Sequence, residues 1–103
     1  MPAARITEPH SNAVLRVGES HVIQWDTSSV PTITDIVSAH LYKGFGSDIR
    51  LIKTIPINRK ASIGCSEPFI VPETSRGYDY FFNLIGSNGE TLQSYYFNIA
   101  INK

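Results

Sequence analysis

Hydrophobic and polar residues alternate singly along much of this chain, the period that puts successive side chains on opposite faces of an extended strand. No stretch keeps the three-and-four spacing of an amphipathic helix, and no capping box precedes an apolar run. The clearest alternation is Gly18 to Asp26. There His21, Ile23 and Trp25 fall on one side and Val22, Gln24 and Asp26 on the other. Trp25, the single tryptophan, is expected to be a buried core residue of an inner strand.

Other strands follow from the same reading. Arg5–Pro9 is a short first strand stopped by proline, and Asn12–Val17 continues it. A polar loop at 27–32 leads to Ile36–Tyr42, in which Val37, Ala39 and Leu41 are assigned to the core face. A glycine-bracketed turn at 43–48 precedes Ile49–Ile57, and residues 61–66 are loop or short strand. Phe69–Val71 ends at Pro72. Tyr78–Ile85 places Tyr80, Phe82 and Leu84 inward, and Gly86–Glu90 is a hairpin turn. Thr91–Ile101 is the last strand, with Tyr95, Phe97 and Ile99 inward.

About seven short strands with turns every 8 to 12 residues define an all-β, immunoglobulin-like or fibronectin-III-like β-sandwich. The 103 residues make one domain, with its core between about 5 and 101. Tyr80, three residues after Gly77, is placed to act as a tyrosine corner, its hydroxyl bonding the loop backbone before it.

Charge and composition exclude more than they identify. Nine basic and nine acidic residues cancel, which argues against a nucleic-acid partner or an anionic membrane surface. No apolar run approaches the length of a membrane span. The lone Cys65 excludes an intramolecular disulfide and a structural zinc cluster, and it is expected to be a partly buried, inert thiol. The start Met1-Pro2-Ala3-Ala4 lacks an apolar signal segment, which is expected of a cytosolic protein or of the mature part of a secreted one.

The order and spacing of Ile6-Thr7-x-Pro9, Val17-Gly18-Glu19, Ile23-Gln24-Trp25, Val37-x-Ala39-x-Leu41-Tyr42, Thr54-Ile55, Phe69-x-Val71-Pro72, Gly77-x-x-Tyr80-x-Phe82 and Phe97-Asn98-Ile99 form a further pattern. It resembles the N-terminal domain of the yeast cell-wall synthesis proteins of β-1,6-glucan assembly, whose relatives include fungal Ser/Thr-rich GPI-anchored proteins. The resemblance runs from about Arg5 to Ile101. It departs at Phe69, where the family usually carries tryptophan, and in lacking a Ser/Thr-rich tail and anchor signal. It implies a secreted, wall-associated fungal module with an immunoglobulin-like fold and no established catalytic residues.

The residues themselves point away from catalysis. The acids lie mostly at predicted turns and strand ends, and no nucleophile elbow, phosphate-binding glycine loop or His-Glu-x-x-His motif is present. His21 and His40 are expected in opposite sheets, so no metal site and no cofactor are assigned. The face opposite the core offers a binding surface instead. Tyr42, Phe81 and Tyr96 are its expected centre, with His40, Asn83 and Asn98 around them. Rings flanked by hydroxyls and amides suit sugars, so the expected ligand is a β-glucan lying on a flat face. The alternative partner is another wall protein or a second copy, for a structural or protein-interaction domain without sugar affinity.

Overall fold

The computed structural model describes residues 6–27 and 33–101, and within them the chain forms two β layers. Arg5 and the loop residues 28–32 lie outside the described residues. The ten strand segments are β1 (Ile6–Glu8), β2 (Val14–Arg16), β3 (Ser20–His21), β4 (Gln24–Trp25), β5 (Asp35–Lys43), β6 (Arg50–Lys60), β7 (Phe69–Ile70), β8 (Gly77–Gly86), β9 (Thr91–Gln93) and β10 (Phe97–Ala100). The larger layer runs β2-β10-β8-β5-β6, with β9 also beside β8. The smaller layer pairs β1 with β4 and β3 with β7, and an isolated bridge from Gln24 to Cys65 sets the segment before β7 beside β4. Counting β1/β2, β3/β4 and β9/β10 as interrupted single strands leaves seven. This is an all-β sandwich of immunoglobulin-like or fibronectin-III-like type.

The first strand changes layer. β1 is antiparallel to β4, whereas β2 is parallel to β10 in the other sheet. The connection between them, residues 9–13, includes Asn12 in a left-handed backbone (φ 65°) that asparagine tolerates. His21 and His40 do lie in different layers, on β3 and β5.

Apolar residues of both layers form one core. Trp25 is buried at 4% exposure, and its indole N–H donates to the Ala61 carbonyl at 2.7 Å. That bond ties β4 to the turn after β6 and satisfies the one polar atom of the ring. Phe69 of the small layer meets Phe82 of the large one edge-on at 5.8 Å, and Phe82 stacks on Phe97 at 5.3 Å. Tyr80 is fully buried, and its hydroxyl donates to the Ser75 carbonyl and lies 3.0 Å from Thr74 Oγ1. The expected tyrosine corner is therefore present.

Three core assignments need correction in phase or in depth. Val37 is 41% exposed, because β5 carries one residue more than β8 between Ile36 and Ser38, so Ile36 takes the inward place. Tyr95 is 48% exposed for the same kind of reason. Ser94 lies opposite Phe82 and Phe97 opposite Tyr80, which leaves Tyr95 and Tyr96 both facing Phe81. Such a bulge resets the alternation and turns both tyrosines away from the core. The last strand is thus broken into β9 and β10 rather than continuous. Phe81, assigned to the outer face, is only 6% exposed there.

Two buried serines close the gaps in the broken strands. At the β9/β10 break, Phe82 N–H donates to Ser94 Oγ at 2.9 Å, and that hydroxyl donates to the Tyr95 carbonyl at 2.8 Å. At the β3/β4 break, Ile23 N–H donates to Ser66 Oγ at 2.9 Å, and the hydroxyl donates to the Glu67 carbonyl at 2.8 Å. Each hydroxyl stands in for a ladder carbonyl that the bend has moved away. Ser66→Ala and Ser94→Ala would each leave a buried N–H unpaired, at a cost of about 1–3 kcal/mol. Urea unfolding should show that loss for both. A change no larger than that of Ser87→Ala, an exposed turn position, would remove the role assigned to the hydroxyls.

Candidate functional site

The outer face of the large sheet carries a continuous run of rings. Tyr42 on β5 and Phe81 on β8 are register partners, and their rings stack at 5.3 Å with planes 19° apart. Tyr96 meets Phe81 edge-on at 5.2 Å and 67°. Phe45, from the β5–β6 turn, lies 4.7 Å from Tyr96 at 43° and 6.2 Å from Tyr78 at 45°. The sequence-predicted centre of Tyr42, Phe81 and Tyr96 is therefore brought together. Its surface is faceted, not flat, and Phe81 lies beneath the two tyrosines as packing.

Phe45 and Tyr78 were not among the expected site residues, yet they are the open end of the run at 49% and 72% exposure. Tyr78 has the parity of the inward Tyr80, but β8 gains a residue over β10 between Gly77 and Tyr80. That third bulge turns Tyr78 out. Phe45 sits in a turn, where alternation carries no information; its flanking glycines, Gly44 and Gly46, were the available signal.

Backbone bonds hold this turn on the sheet. Tyr96 Oη donates to the Gly44 carbonyl at 2.9 Å, and Gly44 N–H donates to the Asp79 carbonyl at 2.9 Å. Gly44 has φ +122°, and a Cβ there would come within 2.5 Å of the Asp48 carbonyl oxygen. Glycine is required, and through it Phe45 is seated on Tyr96.

Polar groups frame the rings. His40 Nδ1 lies 3.3 Å from Tyr42 Oη, and the two rings meet edge-on at 6.0 Å. Asn83 is the register partner of His40, and its Oδ1 is buried with no hydrogen-bond partner among the described residues. Asn98 is used differently, for its Nδ2 donates to the carbonyls of Asn12 and Ala13 at 3.2 and 3.3 Å and pins β2 to β10. Lys43 and Asp79 form an ion pair beside the rings, and Lys43 Nζ also lies 4.6 Å from the centre of the Tyr80 ring.

Cys65 is a free, partly buried thiol in the small layer. Among the described residues no group of three or more His, Cys, Asp or Glu side chains is placed to hold a metal ion, and no helix is long and apolar enough to cross a membrane.

No family model matches the chain, and no curated protein matches it. Among solved structures it is similar to the fibronectin(III)-like modules of CbhA from Clostridium thermocellum. The identity is 15%, the TM-score is 0.47, and the match covers 95% of this chain and 93% of that one.

The burial pattern separates packing from contact surface. Phe81→Ala should cost about 3 kcal/mol by removing a buried ring between two others. Phe45→Ala and Tyr78→Ala should each cost under about 1 kcal/mol. Denaturant midpoints for the three variants check the division, and a large loss for Tyr78→Ala would mean that its ring supports the sheet.

Proposed function

We propose that this domain is a non-catalytic module that binds a neutral wall polysaccharide across the outer face of its large sheet. The observation that carries this reading is the set of rings on this face, Tyr42 and Tyr96 joined over the buried Phe81 and continued by Phe45 and Tyr78, with exposure highest at Phe45 and Tyr78. Sugar C–H faces stack on such rings, and the nearby Tyr42 hydroxyl and His40 imidazole offer directional partners for sugar hydroxyls.

The tilt between successive rings narrows the ligand. The accessible planes turn by 43° from Tyr96 to Phe45 and meet Tyr78 at 45°, which fits a glycan that twists along its length better than a flat ribbon. A β-1,3- or β-1,6-glucan is the preferred substrate class over cellulose or chitin. The resemblance to the yeast cell-wall synthesis family supports a secreted location in the fungal wall, where such a module would hold or organise glucan during assembly.

One observation favours a second reading. Leu51, the register partner of Tyr42, is 51% exposed on β6, and an aliphatic side chain beside the rings suits contact with another wall protein or a second copy.

Pull-down on insoluble β-glucan, cellulose and chitin, with Phe45→Ala, Tyr78→Ala and Tyr96→Ala as variants, tests the first reading. Retention on β-glucan should fall by about tenfold in each variant, the effect of losing one stacked ring worth about 1.4 kcal/mol. No retention on any polysaccharide, combined with a light-scattering dimer that Leu51→Ser and Tyr42→Ala disrupt, would favour the protein-contact reading. Incubation with the same glucans should release no oligosaccharide.

A further inference from the structure

Where the run of rings ends, the surface changes character. Tyr78 borders a groove of about 590 Å³ at the β2–β10–β8 end of the sheet. The groove has half-buried Gly77, Asn98 and Ala100 at its centre and exposed Arg16, Arg76 and Tyr78 along its sides. Arg16 comes from β2 and Arg76 from the turn before β8, so two separate elements each bring an arginine to the lining of one groove. Neither guanidinium has a hydrogen bond or an ion pair among the described residues. In a chain whose nine basic and nine acidic residues cancel overall, this is a local excess of positive charge.

Guanidinium forks match the planar or tetrahedral oxygens of carboxylate and phosphate. Asn98 spends its N–H donors on the carbonyls of Asn12 and Ala13, which leaves its own carbonyl oxygen as an acceptor for a hydroxyl. A stacking ring, a hydroxyl acceptor and two anion-binding forks occur together around one groove. From this combination we infer that the Arg16–Arg76 groove binds an anionic sugar, a residue bearing a carboxylate or a phosphate, within or at the end of the glycan that lies on the rings. The inference rests on the reading of the outer face as a glycan surface and adds its charge selectivity. An acidic peptide is disfavoured because Tyr78, at 6.2 Å from Phe45, makes the groove continuous with the ring track.

The test uses calorimetry with the full chain and four probes. These are a short oligogalacturonide, its methyl ester, a mannose-6-phosphate oligosaccharide and soluble neutral β-1,3-glucan. The acid should bind about tenfold or more tightly than its ester, the effect expected of a charge-assisted hydrogen bond. Arg16→Gln and Arg76→Gln should each reduce that preference, and together abolish it, while neutral glucan binding stays unchanged. Arg16→Lys should keep only part of it, because the charge remains and the fork is lost. The phosphate probe shows which anion the groove prefers. Equal binding of acid and ester, or a preference that survives both glutamine substitutions, would overturn the inference, as would equally tight binding of a glutamate-rich peptide of matched charge. Failure of neutral glucan to bind overturns the previous section's reading alone, since the acid–ester difference is measured independently of it.

Discussion

The phase relation between neighbouring strands is the constraint on which the outer face of this domain depends. Alternation along a strand has a period of two, so one inserted residue sends every later side chain to the other face unless the partner accommodates it. Here the insertions are absorbed locally as bulges at Val37, at Tyr78–Asp79 and at Tyr95–Tyr96. After each one the inward series resumes with Ala39, with Tyr80 and with Phe97. The core keeps its full set of apolar residues, and an extra apolar side chain is delivered outside each time. Two of the three bulges supply rings to the aromatic track, Tyr78 and Tyr96.

A bulge breaks the ladder where it occurs, and buried backbone groups left unpaired are costly. Ser94 meets this cost with a side chain short enough to sit inside the sheet and able both to accept from Phe82 N–H and to donate to the Tyr95 carbonyl. The bend and the exposure of the tyrosines are therefore linked through one hydroxyl. Beyond the break, Tyr96 Oη reaches the Gly44 carbonyl and fixes the turn that carries Phe45. Packing energy within the core, hydrogen bonding at the break and display of rings outside form one connected arrangement. The turn that carries Phe45 is thus tied to the sheet through the Tyr96 Oη–Gly44 bond.

The site was partly legible. Tyr42, Tyr96 and Phe81 were placed together correctly because strands β5, β8 and β10 do lie side by side, and for Tyr42 and Phe81 simple alternation holds. Phe81 could not be recognised as buried, since its cover comes from Tyr42 on another strand and from a tyrosine whose orientation depends on a bulge. Asn98 also pins β2 to β10 through its Nδ2, a role that could not be read from the chain because the parallel pairing of β2 with β10 has no local signature. Phe45, Tyr78 and the paired arginines were invisible as a site for a related reason. They come from a turn, a bulge, an edge strand and a loop, and only the fold makes them neighbours.

The sequence by itself determined the fold class, the burial of Trp25, Leu41, Phe82 and Ile99, the tyrosine corner at Tyr80, and the hairpin at Gly86–Glu90. These depend on short-range information: a period of two, turn residues at strand ends, and large apolar side chains that must leave water. The tertiary structure alone decided where the alternation slips, which rings outside the core are covered, and which charged side chains are left without partners. Those outcomes depend on register between strands distant in the chain, a property of pairs of segments that no single segment encodes.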